Sequence, residues 1–101
     1  MNQQQMMKQA RKLQEQLAKV QADLANEMLT GSAAAGSVEI TLDGHGSVRK
    51  VKIDPAAVDP QDVETLEDLI SVALSDAQAK VAALSQSRMG PLTGGLGIPG
   101  L

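Results

Sequence analysis

The sequence contains no cysteine and no Phe, Tyr or Trp. Without cysteine there can be no disulfide, no thiolate metal site and no thiol nucleophile. Without aromatic rings the core must be assembled from Leu, Val, Ile, Met and many Ala, which bury less area per residue. At 101 residues the chain is read as one domain, and a domain of that size buries only about two thirds of its unfolded surface. A thin, aromatic-free core of this kind is expected to be completed by a second copy of the chain. Apolar runs long enough to span a bilayer are also missing, and the first thirty residues carry Gln, Lys and Arg where a signal peptide needs an apolar stretch. The expected location is therefore cytoplasmic.

Histidine is nearly absent too, His45 being the single one. An enzyme needs a nucleophile with a base, a carboxylate pair in a pocket or a metal cluster, and one turn histidine supplies none of these. Asp43 and His45 fall short of the three or four ligands a zinc site uses. The carboxylates of the second half lack calcium-loop spacing. The GGLG near the C-terminus has neither a preceding strand nor a following Gly-Lys-Ser/Thr, so it is not a phosphate loop. Catalytic, cofactor and metal sites are all expected to be none, which leaves surfaces rather than pockets.

What the sequence does contain is an uneven distribution of charge. The formal net charge is −3, which taken alone disfavours a polyanionic partner. Residues 1 to 20, however, hold Lys8, Arg11, Lys12 and Lys19 against only Glu15, whereas residues 54 to 76 hold seven carboxylates and no Lys or Arg. The molecule is electrically two-ended.

Three structured pieces are expected. From about Asn2 to Glu27 there is no Gly or Pro, and Gln, Lys, Glu, Leu and Ala favour a long helix. Met6, Ala10, Leu13, Leu17, Val20 and Leu24 alternate at four and three, a heptad seam along which something helical should lie. Lys8, Arg11, Lys12 and Lys19 then fall opposite the seam, facing solvent, with a possible Arg11 to Glu15 pair at i,i+4. Such a face is either a solvated surface or a phosphate-binding stripe.

The small residues around Thr30 to Gly36 suggest a short, irregular edge strand. Val38, Ile40 and Leu42 then alternate with polar residues as in a half-buried strand, and the chain returns after the DGHG turn at Asp43 to Gly46. A tight turn there pairs Leu42 with Ser47, Ile40 with Arg49, Glu39 with Lys50 and Val38 with Val51. This places Val38, Ile40, Leu42, Val51 and Ile53 on one covered face. Gly44 and Gly46 are assigned positive φ in the turn. A second helix should start with Asp59 as N-cap and Pro60 at its first position and run about 27 residues to Met89-Gly90-Pro91. Residues 1–91 form the domain, and 92–101 read as a flexible Gly-rich tail.

Several motifs occur in a specific order: Met6 to Gln14, Gly31 and Gly36 before Val38-x-Ile40-x-Leu42, and the D-G-x-G turn. V-K-I-D-P at Val51 to Pro55, L-E-D-L-I at Leu66 to Ile70, and the M-G-x-L-T-G-G-L-G-I-P-G run at Met89 to Gly100 follow. Together these resemble the YbaB/EbfC family of bacterial nucleoid-associated DNA-binding proteins across nearly the whole chain. The resemblance implies an α+β, two-layer α-β-β-β-α protomer with a small antiparallel sheet and two long helices, forming a tight homodimer. It also implies binding of double-stranded DNA in the nucleoid and a role in nucleoid organisation or gene regulation.

For that role the side chains expected to contact phosphates are Lys8, Arg11, Lys12 and Lys19 on the first helix, with Arg49, Lys50 and Lys52 on the sheet as a second group. Neither a helix-turn-helix, a zinc finger nor stacking aromatics is present to read bases. The competing reading is a protein-interaction module resembling prefoldin-like chaperone subunits, although Leu69 and Leu74 break the strict heptads such a module needs. Whether the physiological partner is DNA, a recombination or replication protein, or both, stays open at this point.

Overall fold

The structure, a computed structural model, describes residues 2–95. Helix α1 spans Gln3–Asn26. A capping box starts it: the Asn2 side chain accepts from the Gln5 N–H at 2.8 Å, and the Gln5 side chain accepts from the Asn2 N–H. It ends where Glu27 turns extended and its N–H bonds to the Leu24 carbonyl. Strands β1 (Met28–Ala33), β2 (Val38–Asp43) and β3 (Val48–Ile53) follow as an antiparallel sheet in the order β1-β2-β3. A 3-10 turn over Pro55–Ala57 leads to helix α2, Val63–Gly95.

This is the expected α-β-β-β-α order, with three local corrections. The segment read as a short, irregular edge strand is a regular one: all six residues of β1 pair with β2, from Met28 opposite Asp43 to Ala33 opposite Val38. The β2–β3 register lies two residues from the expected one, with Ile40 opposite Val51 and Val38 opposite Ile53. The connection is longer than a tight turn, the Asp43 N–H reaching the Ser47 carbonyl, and an irregularity between Thr41 and Leu42 sets Leu42 against Val48. A two-residue displacement preserves side-chain facing, so the apolar face is the one expected. Val51 lies on it yet is 52% exposed, because α2 covers β1 and β2 and leaves β3 bare.

The third correction concerns α2. Asp59 and Pro60 form a turn, in which the Asp59 side chain accepts from the Gln61 N–H, and the helix is capped instead by Asp62, whose carboxylate accepts from the Thr65 N–H and hydroxyl. At its far end the helix continues through Gly90 and Pro91 to Gly95, forgoing at Pro91 the backbone bond a proline cannot donate. The first four residues of the predicted tail thus continue the helix backbone, and 96–101 lie outside the described residues.

The core is small: Ala33, Val38, Ile40, Leu42, Ala73 and Ala77 are buried together, flanked by half-buried Ile53, Leu66, Leu69, Ile70, Leu74 and Val81. Its centre is a close approach of backbone to backbone. A Cβ at Gly31 would lie 2.2 Å from the Ala73 carbonyl oxygen and 2.3 Å from the Ala77 nitrogen, so α2 rests on β1 with no side chain between. From that position α2 also closes the open edge of β1: Lys80 Nζ donates to the Thr30 carbonyl at 2.7 Å and Asp76 accepts from the Ser32 N–H at 3.1 Å.

Little else is compact. The radius of gyration is 19.4 Å, against about 13 Å for a globular chain of 100 residues. The long dimension is 70 Å, because the two helices run well past a six-residue-wide sheet. Among the described residues no helix is long and apolar enough to cross a membrane.

Gly31→Ala is expected to cost about 3 kcal/mol or more, since the obstacle is helix backbone rather than a side chain that can swing aside. The midpoint of a urea unfolding curve measures it, and a parent-like midpoint would contradict the close contact.

Candidate nucleic-acid interface

Helix α1 is built to project. Leu24 is its one buried residue, Leu13, Leu17 and Val20 are half-buried, and Met6 near the tip is 56% exposed. The seam is therefore covered towards its root, where Leu24 and Gln21 meet Gln78, Val81, Ala82, Ser85 and Met89 of α2 around a cleft of about 430 Å³, and bare towards its tip. Opposite the seam Lys8, Arg11, Lys12 and Lys19 are all exposed. Lys8, Arg11 and Lys12 line one surface depression with Gln5, Gln9 and Glu15. The Arg11 to Glu15 pair that the i,i+4 spacing allows is not formed as an ion pair, although both residues line this depression.

The electrostatic contrast across the molecule is sharp. Three of the nine Lys and Arg residues are held by carboxylates: Arg49 by Asp43 at 2.9 Å, Lys80 by Asp76 at 3.4 Å and Arg88 by Glu27 at 2.7 Å. The remaining six, Lys8, Arg11, Lys12, Lys19, Lys50 and Lys52, make no ion pair among the described residues. Four of those six form the α1 stripe. Lys50 and Lys52 are exposed on β3, paired across the strand with Thr41 and Glu39, and so face away from α2. Arg49 differs from both groups, its Nε being committed to Asp43.

Asp43 organises the turn that joins sheet to helix. Its Oδ1 accepts from the N–H groups of His45 at 2.8 Å and Ser47 at 3.1 Å, and its Oδ2 from Arg49. The turn in turn grips α1. The Gly44 N–H donates to the Leu24 carbonyl at 2.8 Å, and His45 Nε2 donates to the Gln21 carbonyl at 2.8 Å. Gly44 was expected to serve positive φ, but that is the role of Gly46, at +86°. Gly44 is required for space, since a Cβ there would lie 2.4 Å from the Leu24 carbonyl oxygen. The pairings Asp43–Arg49 and His45–Gln21 could have been suspected from the DGHG turn; nothing in the sequence marks Glu27 and Arg88 as partners.

The Asp43 and His45 side chains are thus occupied by the protein itself, and no group of three or more His, Cys, Asp or Glu able to hold a metal exists among the described residues. The arrangement can present a row of unpaired cations on a rod.

A model of the YbaB/EbfC DNA-binding family matches residues 1–96. The chain belongs to that family. It is 50% identical over 95 residues to a nucleoid-associated protein of Rhodospirillum rubrum, covering 94% of this chain and 89% of that one. Similarity to a nucleoid-associated protein of Chloroflexus aurantiacus is 46% over 96 residues, covering 95% and 96%. The fold matches the crystal structure of an uncharacterized protein from Helicobacter pylori with a TM-score of 0.82 at 16% identity, over 92% of this chain and 98% of that one.

Burial pushes the Asp43 carboxyl up, but the N–H groups of Ser47 and His45 and the Arg49 guanidinium outweigh it and hold the group below its ordinary 3.8. The Ser32 N–H, opposed by burial and helped by Lys80, does the same for Asp76. Carboxyls that titrate lower folded than unfolded contribute stability that is fully present above about pH 4 and is lost as pH falls through the lower folded values. Denaturant unfolding between pH 6 and pH 2.5 should show that loss, and Asp43→Asn with Asp76→Asn should flatten it. An unchanged pH profile in the double variant would contradict the assignment.

Proposed function

We propose that this protein binds duplex DNA through phosphate contacts from α1, as a nucleoid-associated homodimer in the cytoplasm, with a role in organising the nucleoid or regulating genes. The observation that carries the reading is the unpaired, exposed row Lys8, Arg11, Lys12 and Lys19 in a chain of net charge −3 whose other cations are mostly tied to carboxylates. Cations free of internal partners displace counterions from DNA at no cost of a broken ion pair. Lys50 and Lys52 meet the same condition and form a second group; Arg49 can contribute only with the part of its guanidinium not engaged by Asp43. With no helix-turn-helix, zinc finger or stacking aromatic to frame the stripe for base readout, we assign its contacts to the phosphate backbone, with broad sequence preference.

Dimerisation is supported by what one copy leaves bare. Val48, Val51, Val58, Val63 and Val72 are each about half exposed or more, and the core cluster has only six buried side chains among the described residues. A second chain over the uncovered β3 side would bury them and double the number of cations per particle. Membership of a DNA-binding family favours this reading over a helix-tip chaperone, and the nucleoid-associated relatives favour the nucleoid as its place.

Binding to random-sequence duplex should weaken steeply with salt, with a logarithmic slope of roughly −4 to −7 for a dimer at about −0.9 per phosphate neutralised. Replacing Lys8, Arg11, Lys12 and Lys19 together with Gln should weaken binding to every sequence alike and flatten that slope. A quadruple variant that binds like the parent removes the stripe from consideration. Sedimentation over a dilution series should give a dimer that unfolds as it dissociates, and a stable folded monomer would contradict the dimer.

A further inference from the structure

Helix α1 meets the body of the protein through the root of its seam, which lies along α2, and through further contacts near its last two turns that are of two kinds. Leu24, buried, and its carbonyl, bonded to the Gly44 N–H, form a pivot. On either side of the pivot is one side-chain tie. One turn towards the N-terminus, the Gln21 carbonyl accepts from His45 Nε2 at 2.8 Å. Just beyond the helix, Glu27 accepts from Arg88 of α2 at 2.7 Å. The two ties reach α1 from different elements, the β2–β3 turn and α2, so together they constrain a tilt that the pivot alone allows.

We infer that His45 and Arg88 are positioning residues that fix the angle at which α1 holds its cations. The inference rests on α1 as the duplex-binding element. Its force comes from leverage. Lys8 stands 16 residues from Leu24 along the helix, about 24 Å at 1.5 Å per residue, so a tilt of about 10° moves it about 4 Å. That is roughly one nucleotide step along a strand, where phosphates recur about every 3.4 Å. A loosened α1 therefore keeps all its charges and their spacing along the rod, but cannot hold them in register with Lys50 and Lys52 on the sheet. Fewer phosphates are neutralised per bound particle. Both ties are surface interactions of small worth to folding; Arg88 and Glu27 side chains are 39% and 38% exposed, and His45 is exposed. Their removal should leave the fold intact while freeing the rod.

The absence of cysteine makes a direct test clean. Spin labels on Gln9→Cys in α1 and Ser71→Cys in α2, both exposed positions, report the angle as an intrachain distance when labelled chains are diluted with unlabelled protein. The parent should give one narrow distance distribution. His45→Ala with Arg88→Gln should broaden it and make the salt slope of duplex binding shallower by about 1 to 2, with the thermal unfolding midpoint and sedimentation like the parent's. The exchanged pair Glu27→Arg with Arg88→Glu, in the presence of His45, should restore both. A distribution as narrow as the parent's in the double variant overturns the inference, as does a broadened distribution with an unchanged slope. Either outcome is distinct from failure of the cation stripe itself, which the quadruple Gln variant reads with α1 still fastened.

Discussion

The direct seating of α2 on β1 is the constraint from which the rest of the molecule follows. With no ring to fill the space between layers, the core gains density by bringing backbones together, and Gly31 against Ala73 and Ala77 is where they meet. That contact puts Asp76 and Lys80 within reach of the strand edge, which they close. It also sets the line of α2, and with it the place where Arg88 arrives beside Glu27 at the foot of α1.

A helix seated on one side of a three-stranded sheet cannot cover the third strand. The uncovered valines of β3 and α2 and the bare outer half of the α1 seam are two consequences of one geometry, a small body with long rods extending from it. An extended rod is a poor way to bury apolar area but a good way to space charges along a linear partner. Most of the acidic residues lie before and within the first turns of α2, where the helix dipole favours them, or are engaged with Arg49, Lys80 and Arg88; α1 itself carries only Glu15 and Asp23 against its four cations. A mildly anionic protein can in this way keep a cationic rod.

Much of this was legible in the sequence because it depends on local pattern. The seam of α1, the alternation of Val38, Ile40 and Leu42, and the place of Lys8, Arg11, Lys12 and Lys19 opposite the seam are consequences of period alone. Register was less legible: the DGHG turn is longer than its glycines suggest because Asp43 gathers N–H groups from His45 and Ser47, and the ladder slips by two. The start of α2 moved from Asp59 to Asp62 because two Asp–x–x sequences compete as caps and only one is followed by Thr65, whose hydroxyl adds a second bond. The exposure of Val51 could not be read at all, since it depends on which strands α2 happens to cover. The Glu27–Arg88 tie joins residues 61 positions apart and leaves no trace in either neighbourhood.

Lysine footprinting tests the central idea, that the unpaired cations of α1 meet the phosphates, most directly. Acylation rates at each lysine with and without a random-sequence duplex at low salt should show Lys8, Lys12 and Lys19 strongly protected and Lys80, held by Asp76 and Thr30, unchanged between the two states. Equal rates at the three α1 lysines with and without duplex, while binding is saturated, would contradict it.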